Sequence, residues 1–412
     1  MQTLSPTATS TPDRLHGLDA IRGFALLLGV VLHASMSYLP GAQYFWTAHD
    51  SDPSSALSLA FYVPHMFRML LFFLLAGFFG RMALQRVGAK RFVKDRLKRI
   101  GIPLLVGWPL VFTAILVVLI WGAMLANGGN LPAESPPGPA FTPDDFPLTH
   151  LWFLYVLLML YTAALALHGI VVALDRNGRL RAAGDRVTRV LASVGGPVLL
   201  ALPLGLSLIL QPEWFMWFGI PTPDRSLYPN LAAIVGFGGA FALGWLLQCR
   251  QHLLRSWERS WPWHLTLALI GTGVCLGLVG IAPDLTPAAR DAGTLAYAAC
   301  YGLAAWSWTF ALIGLTLRYL SGFNATRRYL ADASYWIYLV HLPLVMALQV
   351  VASRLDWPWP VELGLLLAAA FAIMLASYHL LVRYSFIGAV LNGRRKPRQA
   401  RIASARSPSP NA

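Results

Sequence analysis

Ten apolar stretches dominate this chain, each near the roughly 20 residues that a helix needs to cross a ~30 Å hydrocarbon core. They lie near residues 17–39, 57–80, 100–126, 149–174, 189–210, 228–248, 263–282, 293–317, 331–353 and 361–385. Lipid offers the backbone no hydrogen-bond partner, so a spanning segment must satisfy its own N–H and C=O groups, and only helices and closed barrels do so. Runs of this length exceed a transmembrane strand of about 9–11 residues. The sequence therefore predicts an all-α, polytopic membrane protein of about ten transmembrane helices. Hydrophobic residues make up 57% and charged residues 12% of the chain, a balance foreign to soluble domains of 412 residues.

A net charge of +14 would suit a nucleic-acid binder, but its placement points to topology instead. Of the 32 Lys and Arg, 26 fall in the two tails and in alternate inter-span segments, eight of them within residues 81–99. The opposite set of segments holds three, Arg225, Arg290 and Arg354, and Arg22, Arg68 and Arg383 lie inside spans. By the positive-inside rule both termini are cytoplasmic, and the expected environment is a lipid bilayer with no nucleic-acid partner. Residues 1–13, rich in Ser, Thr and Pro, are expected to be a disordered cytoplasmic tail, residues 14–390 one transmembrane domain, and residues 391–412 a disordered basic cytoplasmic tail. No cleavable signal peptide is expected, because the first apolar run carries Arg22 and leads into further spans. Residues 84–99 interleave Leu84, Val87, Phe92 and Leu97 with basic residues, the pattern of an amphipathic helix entering the third span. Cys249, Cys275 and Cys300 form neither a disulfide framework nor a metal-binding spacing, and no metal ligands are expected.

Ionisable residues inside spans are costly and mark function by default. Arg22 and His33 stand eleven residues apart in the first span. At about 100° per residue they share one helix face, separated by roughly 16 Å along the axis. Asp19 precedes Arg22 by one turn and can pair with it. In the second span His65 and Arg68 also share a face, with His65 at nearly the depth of His33. Where the two faces meet, His33, His65, Arg68 and Arg22 form a ladder across the membrane, tolerable only around water or an anionic ligand. The blander account has Arg22 snorkelling to the surface and His33 bonded to a neighbouring helix. Span 4 opens with His150 and Trp152, which read equally as substrate contacts and as part of an interfacial aromatic belt. In span 9, Tyr338 and His341 lie one turn apart near mid-membrane, where an interhelical hydrogen bond and a catalytic role are both open.

At these residues the chain resembles the acyltransferase-3 family of integral membrane O-acyltransferases, over roughly residues 14–385. The resemblance rests on Leu18-Asp19-Ala20-Ile21-Arg22-Gly23 with the spacing to His33, on Phe72-Phe73-Leu74-Leu75-Ala76-Gly77-Phe78, on the basic entry Arg96 to Arg99 leading to Pro103, and on Tyr335-Trp336-Ile337-Tyr338-Leu339-Val340-His341. Ala76 stands where the family usually has Ser. His65-Met66-Phe67-Arg68 and His150-Leu151-Trp152-Phe153-Leu154 look most like the branch that succinylates periplasmic glucans.

The resemblance implies transfer of an acyl group, acetyl or succinyl, from cytoplasmic acyl-CoA to a hydroxyl of an extracytoplasmic glycan, in a multi-pass protein of a bacterial-type inner membrane. Acyl-CoA would be a substrate, with no bound cofactor. On that basis His33 is expected as general base, His65 or Arg68 as the oxyanion partner, and Arg22, Arg96 and Arg99 as phosphate contacts. Asp19, His150, Trp152, Tyr338 and His341 are expected to help bind substrate. Two rival readings stand beside this one. A membrane glycosyltransferase using a lipid-linked sugar would draw on Asp50 and Asp52. An anion transporter would use the same ladder, but no internal repeat supports it.

Overall fold

A computed structural model describes residues 14–46, 48–131 and 138–393, so the N-terminal tail and the basic tail from 394 onward lie outside the described residues. Among the described residues the regular structure is helical, apart from one isolated bridge between Thr142 and Asp145. In chain order the helices are α1 (Arg14–Ser35), α2 (Ser55–Val87), α3 (Ala89–Arg96), α4 (Ile102–Ala126), α5 (Trp152–Leu174), α6 (Arg179–Leu191) and α7 (Gly196–Ile209). There follow α8 (Leu231–Leu247), α9 (Leu254–Val279), α10 (Ala292–Tyr319), α11 (Ala325–Ala352), α12 (Trp359–Ser377) and α13 (Phe386–Asn392).

By length and composition, eight helical segments among the described residues can cross a membrane, or nine when the bent pair α6 and α7 is taken as one span. One of the eight, Leu231–Val279, runs for 49 residues, which is roughly 74 Å of straight helix. It breaks at Arg250, whose φ of −131° and ψ of 47° are not helical, so α8 and α9 are the separate passes expected at 228–248 and 263–282. The fifth expected stretch, 189–210, is corrected. Its first residues belong to α6, which meets α7 at 98°. Gly195-Gly196-Pro197 interrupts the run, with Pro197 in the first turn of the new helix where its missing N–H costs nothing. The 14 residues of α7 span only about 21 Å.

The helix pairs α9–α10, α2–α8, α7–α10 and α1–α11 pack most extensively. Small residues set how closely they approach. A Cβ at Gly77 would collide with the carbonyl oxygen of Phe241, and one at Gly244 with that of Leu74. The α2–α8 crossing is thus backbone against backbone, held by dispersion where lipid removes the hydrophobic incentive. By contrast α4 turns Leu105 and Leu110 outward, 78% and 67% exposed, as a lipid-facing helix should.

Two ends of the bundle differ in charge. One carries α3, α6 and the segments 249–262 and 318–328, and is rich in arginine. The other carries the loops 36–54, 210–230, 280–291 and 353–358. Between α3 and α4 the chain makes a π turn, Leu97–Gly101, of the kind that often re-aims side chains at functional positions.

Candidate active site

Near the loop end, α1, α2, α11 and the short turn Thr149–Leu151 before α5 bring five cationic or cation-capable side chains together. Arg68 on α2 lies flat against α1: a Cβ built on Gly29 would sit 2.5 Å from its Nη1. Its Nε is buried, and no hydrogen bond or ion pair to it occurs among the described residues. One turn beyond Gly29, His33 lies in the last turn of α1 with its ring 5.2 Å from that of His341, and His341 stands 5.0 Å from His150. His65, one turn from Arg68, stacks on Phe61 at 5.2 Å. None of these five side chains pairs with a carboxylate among the described residues. Arg68 is half-buried with its Nε fully enclosed, and such a guanidinium without a counter-ion is stable only beside water or an anion.

The tautomers follow from one acceptor. Tyr338 presents its backbone carbonyl to His341 Nδ1 at 2.8 Å and to His150 Nε2 at 3.1 Å. A carbonyl oxygen only accepts, so both nitrogens carry protons, and His341 Nε2 and His150 Nδ1 are bare in the neutral rings. His150 Nδ1 is buried with no partner among the described residues, as is His33 Nδ1. In return the Tyr338 hydroxyl donates to the His150 carbonyl at 2.8 Å, which locks the start of α5 to α11.

A second cluster lies at the arginine-rich end, about 16 Å away along α1. Arg22 pairs with Asp19 at 3.2 Å and sits over the Phe79 ring at 5.7 Å, while Asp19 also meets Arg328 at 3.8 Å. Asp95 takes Arg96 at 2.8 Å and Arg99 at 3.7 Å, and Arg96 lies over the rings of Phe92 and Tyr161 at 5.0 and 5.4 Å. Arg22 and Arg96 both act electrostatically on Arg99. Four guanidinium groups, Arg22, Arg96, Arg99 and Arg328, thus gather around Asp19, Asp95 and Asp332, the last meeting Arg328 at 3.6 Å, which leaves one positive charge in excess. The π turn leaves the Arg99 carbonyl to accept the Tyr335 hydroxyl at 2.6 Å. Tyr335 and Tyr338, with ring centroids 6.3 Å apart on α11, connect the two clusters.

Of the residues singled out from sequence, His33, His65, Arg68, His150, Tyr338 and His341 come together, and Arg22, Asp19, Arg96 and Arg99 form the second group. Arg22 therefore does not continue the histidine cluster but belongs with the arginines. Trp152 turns away: it is buried, stacked on Phe237 at 5.4 Å and tilted against Phe73 at 6.2 Å. Sequence reasoning missed Gln349 and Trp46. Gln349 Nε2 donates to the carbonyls of His33 at 2.9 Å and Ala34 at 3.1 Å, two of the groups a helix end leaves unbonded. Its Oε1 accepts the Trp46 indole N–H at 3.0 Å, and the Trp46 ring stacks near His33 at 6.2 Å. A buried Gln two turns beyond His341 was the available signal.

The model of the acyltransferase domain family matches residues 15–379. Glucans biosynthesis protein C of Shigella boydii serotype 4 and of Escherichia coli strain SMS-3-5 are each 34% identical to the chain over 156 residues, 36% of this chain and 38% of theirs. The same-named protein of Salmonella paratyphi B is 33% identical over 154 residues, 37% of this chain and 39% of its own. The aligned region thus spans little more than a third of these relatives. No solved structure matches the chain.

Proposed function

Because the chain belongs to the acyltransferase domain family, whose model covers most of its length, we propose that it is a membrane O-acyltransferase moving an acyl group from acyl-CoA to a hydroxyl of an extracytoplasmic glycan. The observation that carries this reading is Arg68, its Nε enclosed and without a partner among the described residues, in a cluster with three imidazoles that have bare nitrogens. In this reading the arginine-rich end and both termini face the cytoplasm, in a bacterial-type inner membrane. The phosphates of CoA rest against Arg22, Arg96 and Arg99, where guanidinium binds phosphate bidentately. The acceptor enters from the loop end, and a glucan is the candidate suggested by the names of the relatives.

The chemistry is acyl exchange. The glycan oxygen attacks the thioester carbonyl carbon, forming a C–O bond as the C–S bond breaks. His33 takes the hydroxyl proton and returns it to the departing sulfur, which leaves as the CoA thiol. The tetrahedral oxyanion gathers its charge beside Arg68, with His65 as a second donor; one such interaction supplies about 10²–10³ in rate. Were the acyl chain to end in a carboxylate, Arg68 would neutralise it instead. Arg68→Ala then loses more with succinyl-CoA than with acetyl-CoA, whereas equal losses assign Arg68 to the oxyanion. The test of the whole reading uses purified protein, labelled acyl-CoA and a glucan. Wild type forms a glycan ester and free CoA thiol, and His33→Ala, inserted and monodisperse, forms neither. Acylation persisting in His33→Ala overturns the assignment, and anion flux without any acylated product favours a transporter.

A further inference from the structure

Resting on the glycan reading above, we propose that the half-buried rings of Phe45, Trp46 and Phe218 form a platform on which a sugar ring of the acceptor stacks, beside His33 and His65. The segment after α1 folds back on itself through two short turns, with Asp50 N–H donating to Ser37 O at 2.9 Å and Ser54 N–H to Tyr38 O at 2.7 Å. This brings Trp46 to lie nearly parallel to His33, at 22° between planes, with its N–H fixed by Gln349. Its neighbour Phe45 points its edge at Phe218, 5.6 Å away, and Phe218 meets Phe61, which stacks on His65 at 14°. An arc of rings therefore runs from one histidine to the other around the loop end of the site.

The far side of the arc is built rigidly. Trp214 Nε1 donates to Gly219 O at 2.7 Å, the Tyr297 hydroxyl to Met216 O at 2.6 Å, and Ile220 N–H to the Tyr301 hydroxyl at 3.3 Å. Gly219 adopts φ +60°, and a Cβ there would collide with that hydroxyl. Trp214 and Trp217, 2% and 1% exposed, are consumed by the core, whereas Phe45, Trp46 and Phe218 keep part of their surface open. Trp46 and the backbone that carries Phe218 are thus held in place while both rings stay partly open.

A pyranose fits what the arc offers. Its C–H face is apolar and lies flat on an aromatic plane, while its hydroxyls project at the rim. A ring seated on Trp46 holds a rim hydroxyl toward the His33 imidazole, whose Nδ1 has no partner among the described residues. An acyl chain needs no flat aromatic face, and an anion is drawn to Arg68 instead. Few convergent polar groups beside an aromatic wall are what orient a small ligand.

The test is calorimetric titration of the purified full chain with a linear β-linked gluco-oligosaccharide in the absence of acyl donor, with sorbitol as the ringless control. Phe218→Ala and Trp46→Ala are expected to weaken oligosaccharide binding about tenfold or more, and Phe218→Tyr and Trp46→Phe to stay within about threefold. Phe45→Ala, which breaks no hydrogen bond, should weaken binding in the same direction and guards against a misfolded Trp46 variant. Unchanged affinity in all three alanine variants, with transfer to glucans intact in wild type, overturns the platform and leaves the acyltransferase reading standing. Wild type that neither binds nor acylates glucans overturns the glycan reading, and the platform with it. Sorbitol bound as well as the oligosaccharide also overturns the platform.

Discussion

Gly29→Ala isolates Arg68 without touching it. A methyl at position 29 would lie 2.5 Å from Arg68 Nη1 and 3.5 Å from its Cζ. Restoring an ordinary contact moves the guanidinium by ~1 Å, a displacement able to cost ~10²-fold when it misaligns a catalytic group. The backbone need not move, because the obstructing atom ends a flexible side chain. Alanine stabilises a helix by roughly 0.5–1 kcal/mol over glycine, and an off-rotamer arginine costs about 0.5–1.5 kcal/mol, so the two nearly cancel in stability. The expected result is a melting temperature close to wild type and kcat/KM for acyl transfer lower by ~10–100-fold. Gly23→Ala on the same helix is the control: its methyl would meet Ala331 Cα at 3.4 Å, an ordinary contact, and activity should stay within about twofold. If Arg68 is the only thing disturbed, Gly29→Ala adds nothing to an Arg68→Ala background, since residues acting as one unit are not additive. A fully active Gly29→Ala protein, or losses that multiply in the double variant, refutes the reasoning.

Three further outcomes are expected. Gln349→Leu leaves two helix-end carbonyls and the Trp46 N–H without a partner, so thermal unfolding should show a loss on the order of 1–3 kcal/mol, with kcat falling more than KM for the donor is raised. Arg68→Lys keeps the charge but not the planar fork, and steady-state kinetics should place it between wild type and Arg68→Ala, the latter down by ~10²–10³. Arg99→Ala or Arg96→Ala should raise KM for acyl-CoA, increasingly so as salt is lowered, while KM for the acceptor stays put; equal effects on both substrates would count against a phosphate site.

Much of the site was legible because helices are local objects. The eleven-residue spacing of Arg22 and His33, and the three-residue spacing of His65 and Arg68, fix faces and depths without knowledge of packing. What spacing cannot give is which face meets which. That Arg68 rests on Gly29 depends on two antiparallel helices meeting at that level, and Gln349 reaches His33 across 316 residues of chain. The tautomer of His341, which the sequence leaves open, follows only from the Tyr338 carbonyl it shares with His150. Trp152 looked like a site residue because it follows His150, but two steps along a helix turn a side chain by about 200°, and it packs into the core. The break before α7 was visible in Gly195-Gly196-Pro197, a helix-start signal that the continuous apolar run obscured.

The central claim is that a donor held at one end and an acceptor admitted at the other meet at the His33 cluster inside the bundle. Sealed vesicles of uniform orientation test it, with acyl-CoA supplied only on the arginine-rich side and a glucan only on the other. Acyl esters are expected to appear on the glucan across the intact membrane, with the CoA thiol released on the donor side and no product from His33→Ala. Ester formed only when both substrates share one side would contradict it.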